Sequence, residues 1–191
     1  ISSRTAFEVR KMLEGVLAPG GTASEVKIPG YQLAGKTGTA NKIDPAQLER
    51  WQVAGLLHDF DWERYPTPEE HPIVGSKHLE SLGVDDEIRA AILGHCAERT
   101  GVPRISPMAR VLFACDELSG FIVACAKVRP EGIATLEAKS VQKKLKDKAF
   151  AANVNRDDVT QGTAELQPLT GMDASAHIQF CIDAIRAAVL P

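Results

Sequence analysis

The 191-residue chain has no histidine before His58, no C-x-x-C pair among its four cysteines and no apolar run near the roughly 20 residues that span a bilayer. Each absence removes a class of function. Without a paired-cysteine motif, and with apolar neighbours around Cys96, Cys115, Cys125 and Cys181, buried, reduced thiols without a role are expected rather than a disulfide framework or a zinc site. A formal charge of −3 leaves no electrostatic footprint for non-specific nucleic-acid binding. The start Ile1-Ser2-Ser3-Arg4 lacks the features of a secretory signal, so the expectation is a soluble, cytoplasmic protein without a membrane partner. Internal repeats and low-complexity tracts are also missing.

What is present is a composition of 44% hydrophobic and 25% charged residues, enough for one substantial core or one core plus a small appendage. Apolar residues at helical spacing predict a helix over 5–17, stopped by Pro19-Gly20-Gly21. Residues 26–40 alternate and carry Pro29-Gly30, which predicts a β-hairpin. Asp44-Pro45 opens a helix through Leu48, Trp51, Ala54, Leu56 and Leu57 to His58-Asp59. Further helices are expected over 72–82, 85–99, 106–126, 137–148 and 174–189, with 150–168 more irregular. The fold class is mainly α.

Two motifs match on letters alone. Residues Gly30 to Thr37 fit G-x-x-x-x-G-K-[ST], but the preceding Val26-Lys27-Ile28 is cut by Pro29, and Gly38 falls where a P-loop helix should begin. Ser140-Val141-Gln142-Lys143 has the S-x-x-K spelling of an acylating serine, yet it follows Lys36-Thr37-Gly38 instead of preceding it. The run Lys139, Lys143, Lys144, Lys146 and Lys148 reads as a solvated helix face, and His78 and His177 read as surface or hydrogen-bonded core residues.

The stretch Leu56-Leu57-His58-Asp59-Phe60 carries chemistry. Adjacent helical residues point about 100° apart, so His58 and Asp59 share an ion only at a helix end, and Phe60-Asp61-Trp62 fits such an end. Asp116, ten residues into a helix opened by Ser106-Pro107, supplies another oxygen. Mixed nitrogen and oxygen donors of this kind suit a hydrolytic divalent metal.

From about Asp44 to the C-terminus the sequence resembles the HD superfamily of metal-dependent phosphohydrolases. The resemblance runs through Trp51 to Asp61, Glu70-His71-Pro72-Ile73-Val74-Gly75, Ile92-Leu93-Gly94-His95 and Asp116. It implies a helical bundle, with His58 and Asp59 catalytic and His58, Asp59 and Asp116 binding a divalent ion. It leaves manganese, magnesium, iron, nickel and zinc undistinguished, and implies a small phosphorylated substrate. It places His71 and His95 where some members bind a second ion or substrate phosphate. Residues 1–43 resemble instead a fragment of a penicillin-binding protein transpeptidase domain, with a helix at Phe7 to Val16 and the Lys36-Thr37-Gly38-Thr39 strand. The chain thus reads as a chimera with domains at 1–43 and 44–191, in which the family's first metal-binding His is lost and activity is impaired. An inactive recombinant without transpeptidase activity is the alternative. The orphaned strand over 32–40 predicts either a local hairpin or a homodimer by strand pairing.

Overall fold

The computed structural model describes residues 45–189, and Pro45 opens the first helix among them. The expected helix over 5–17, the hairpin or strand-paired dimer over 26–40 and the cap Asp44 lie outside the described residues. The described residues form eight helices in order: α1 Pro45–Leu57, α2 Ile73–Ser81, α3 Asp86–Gly94, α4 Ala97–Thr100, α5 Pro107–Lys127, α6 Ala138–Leu145, α7 Arg156–Thr170 and α8 Ala174–Val189. The protein is mainly helical, with no strand among the described residues. None of these helices is long and apolar enough to cross a membrane.

The described residues fall into two compact units, 45–113 and 114–189. The first has its own core of Ala54, Leu79, Ile88, Ala91, Ile92, Met108 and Ala109, with Trp51, Val53 and Leu57 packed against it. Arg50 on α1 reaches Asp85 at 2.6 Å and Glu87 at 2.8 Å, pinning α1 to the start of α3. Asp85 also caps α3, its carboxylate accepting from the amides of Glu87 and Ile88.

The helix expected over 85–99 is interrupted at His95-Cys96. Three side chains satisfy the carbonyls at the break. His95 Nδ1 donates to Ile92 O, Thr100 Oγ1 to Leu93 O at 2.9 Å and Arg104 Nη1 to Gly94 O at 3.0 Å. The chain can therefore leave the helical path without stranding buried acceptors.

The second unit is built on Leu118, Phe121, Ile122, Cys125, Leu136, Val141, Val159, Ile178 and Ile182. Here the expected irregular stretch 150–168 is corrected: Asn155 caps α7 by accepting from Asp157 N at 3.0 Å and Asp158 N at 3.4 Å. Only Val159, Gly162 and Leu166 of α7 are buried, a stripe too narrow to read against its many polar neighbours. Pro168 stands inside α7 and has no N–H to donate to the carbonyl four residues before it, and Gly171 then ends the helix in the left-handed region at φ 70°. A Cβ on Gly162 would lie 2.6 Å from Ala114 Cα, so a side chain there would force the two backbones apart. The helix expected over 137–148 stops at Leu145, because the following turn is organised by Arg156. Its guanidinium donates to the carbonyls of Ala151 at 2.7 Å, Val154 at 2.6 Å and Phe150.

Candidate metal centre

α1 ends at Leu57, and the turn after it carries His58, Asp59 and Asp61. His71 stands just before α2, and His95 sits at the break after α3. These three segments of the first unit bring three imidazoles and two carboxylates together. His71 Nε2 lies 3.2 Å from Asp59 Oδ1, His95 Nε2 3.5 Å from the same oxygen, and His58 Nε2 3.5 Å from Asp59 Oδ2. The two nitrogens His71 Nε2 and His95 Nε2 are 3.3 Å apart.

The opposite nitrogen of each ring is held. His58 Nδ1 donates to Gly55 O at 2.9 Å, His71 Nδ1 to Asp61 Oδ1 at 2.7 Å, and His95 Nδ1 to Ile92 O. Those oxygens only accept, so the Nδ1 protons are fixed and the Nε2 atoms are the ones left to face one another. Two Nε2 lone pairs at 3.3 Å repel unless a cation lies between them. In the protein alone that cation is a proton. Burial would lower the pKa of His71, but hydrogen bonds to Asp59, Cys96 and Asp61 outweigh it and raise the value to about 9. Burial would likewise raise the pKa of Asp59, yet hydrogen bonds from His71 and His95 bring it well below the usual carboxylate range.

Asp61 is buried and orients the cluster from behind. Its Oδ2 accepts from the Gly75 amide at 2.9 Å while Oδ1 holds His71. That approach requires glycine: a Cβ at position 75 would stand 2.4 Å from Asp61 Oδ2. Trp62 lies edge-on to the His71 ring at 4.9 Å. Cys96 adds sulfur, its ligand atom lying within 4.8 Å of those of His71 and His95. Burial would raise the Cys96 thiol, but hydrogen bonds to His71 and His95 and the charges of His95 and Arg99 lower it to about 7. His71 is only 2% exposed, whereas the Asp59 carboxyl is 42% exposed and offers the approach from solvent.

Of the residues expected from sequence, His58, Asp59, His71 and His95 are drawn into one cluster. Asp116 is half-buried on α5, in the part of that helix belonging to the second unit. His78 is exposed and its ring stacks on Phe60, while His177 is a buried core residue bonded to Ala114 O at 3.1 Å. The lysine run on and after α6 is largely exposed, as expected for a solvated face. Sequence reasoning missed Asp61, Gly75 and Cys96 as parts of the site. Asp61 and Gly75 stood inside the matching strings, and Cys96 directly follows His95, but spacing alone gave none of them a role.

A family model described as the penicillin binding protein transpeptidase domain matches residues 1–56. Over 51 residues the chain is 45% identical to penicillin-binding protein PbpB of Mycobacterium tuberculosis (strain ATCC 25618 / H37Rv), a match covering 24% of this chain and 8% of that protein. The chain therefore spans a small fraction of the relative's length. No solved structure matches. The matched segment runs past Asp44 through most of α1 and ends before His58, so every residue of the histidine cluster lies beyond it.

Proposed function

We propose that residues following the transpeptidase-like segment form an HD-type metal-dependent phosphohydrolase centre acting on a small phosphate ester or nucleotide. The observation that carries this reading is the convergence of three Nε2 atoms on one carboxylate, with every Nδ1 tied back. The spacing fits an ion. Two nitrogens bound at about 2.0–2.1 Å stand about 3.3–3.4 Å apart at the tetrahedral angle, and His71 Nε2 and His95 Nε2 are 3.3 Å apart. A carboxylate or carbonyl accepting from the far ring nitrogen is the usual partner of a metal-binding imidazole.

His71, His95 and Asp59 Oδ1 would hold one ion, and His58 lies beside the other oxygen of the same carboxylate. A divalent ion in such a place acidifies a bound water and polarises a phosphoryl oxygen. The protein's own contribution is orientation. Asp61 fixes the His71 ring, Gly55 O and Ile92 O fix His58 and His95, and the exposed edge of Asp59 leaves the approach open for an anionic substrate.

A second reading, an inactive recombinant, is favoured by a specific observation. No histidine precedes His58, and the residues before it resemble a transpeptidase. One measurement separates the two: metal analysis of the purified protein alongside a phosphatase screen with added manganese, nickel or magnesium. Turnover that is lost in H58A and D59N, and weakened in D116N, supports the phosphohydrolase. Bound metal without turnover supports the inactive recombinant, and absence of both overturns the centre.

A further inference from the structure

The second unit holds another cluster of ligating atoms. His177 and Cys181 are one helical turn apart on α8, and Cys115 lies on α5; their ligand atoms all fall within 4.8 Å of one another. His177 Nε2 donates to Ala114 O at 3.1 Å, and because a carbonyl only accepts, a neutral ring keeps its lone pair on Nδ1. This is the orientation found in metal-binding imidazoles, with one nitrogen tied to a backbone carbonyl and the other presented. Cys181 Sγ lies 3.9 Å from both ring nitrogens. A tetrahedral ion on Nδ1, with bonds of about 2.3 Å to sulfur and 2.0–2.1 Å to nitrogen, sets the sulfur about 3.6 Å from Nδ1 and farther from Nε2, so closure requires the His177 ring and the Cys181 side chain to turn toward each other.

We propose that Cys115, His177 and Cys181 form a binding site for a thiophilic divalent cation of the zinc class, separate from the histidine cluster of the first unit. Charge selects the ion. His177 is 2% and Cys181 5% exposed, and two thiolates with one neutral imidazole carry −2, which a divalent cation cancels, leaving no net charge to bury. Sulfur donors disfavour magnesium and calcium. Binding releases the two thiol protons to solvent, so affinity rises with pH. Cys115 is only half-buried, which leaves a fourth position reachable by water.

The test is a titration of Co²⁺ into the reduced, metal-stripped full chain, followed by sulfur-to-cobalt charge transfer in the near ultraviolet. The expected bands are lost in C115S and in C181S and are retained in C96S and H71A, whose sulfur and imidazole belong to the first unit. Bands that survive in the C96S/C115S/C181S triple variant, or no bands at all in C96S, overturn the site. A second measurement needs no variant: alkylation of Cys115, read by peptide mass, should slow about 100-fold at a Zn²⁺ concentration 100 times the dissociation constant. An unchanged rate, or loss of both thiols as a disulfide while reductant is present, overturns it as well.

Discussion

His71 sits between Asp59 and Asp61 and carries the proton that any ion entering the cluster must displace. With its pKa raised to about 9, His71 holds that proton at neutral pH, and an ion bound as proposed would expel it. Metal affinity should therefore rise about tenfold per pH unit from neutrality until the titration ends near 9, then level off. Calorimetry in buffers of different ionisation enthalpy should count about one proton released per ion at pH 7.5. A pH-independent affinity would contradict the assignment. Asp61 acts one step further out. D61N removes the charge that fixes the His71 ring and should weaken metal binding about 10–100-fold while leaving the helices intact by circular dichroism. At this scale the adjacent His58 and Asp59 were legible in sequence because a motif placed them. Asp61 and Gly75 were not, since nothing in their spacing says that a carboxylate ten residues before His71 will fold back onto its ring and onto a glycine amide.

Helix ends in this protein are set by side chains that can be named. Asn155 alone supplies the side-chain acceptor for the first amides of α7, and N155A should cost about 1 kcal/mol, a fall of several degrees in melting temperature for a unit of this size. Gly162 is the point at which α7 meets Ala114. G162A places a methyl group 2.6 Å from Ala114 Cα and should cost about 1–3 kcal/mol in chemical denaturation, with tryptophan-independent probes following the second unit. Equal stability of G162A and the parent would show that the two backbones are not in contact. The helices over 45–57, 73–81, 107–127 and 174–189 were readable from period and caps. α7 was not, because Val159, Gly162 and Leu166 are its only buried residues and a glycine carries no hydropathy signal.

For the molecule as a whole, the transpeptidase-like segment and the histidine cluster occupy separate stretches of the chain. The transpeptidase-like match covers residues 1–56, and the cluster at His58, Asp59, His71 and His95 begins after it. The S-x-x-K spelling at Ser140 to Lys143 lies on α6 in the second unit, far beyond the matched segment. Incubation with a labelled penicillin should accordingly give no covalent adduct by intact mass, since the acylating chemistry needs a serine and lysine beside the Lys-Thr-Gly strand. An adduct at Ser140 would overturn that expectation.

The sequence by itself determined the helical class, most helix boundaries, the transpeptidase-like character of the N-terminal segment and the identity of four residues of the cluster. These are local properties, set by period, caps and short motifs within a few residues of one another. Only the tertiary structure decided that the helix expected over 85–99 breaks at His95 and that three Nε2 atoms share one carboxylate. It also decided that Cys115 meets His177 and Cys181 across 62 and 66 positions of sequence. Those outcomes depend on which carbonyls a side chain from another segment can reach, and on which backbones approach closely enough to require glycine. Neither quantity has a period, so neither leaves a trace in a linear pattern.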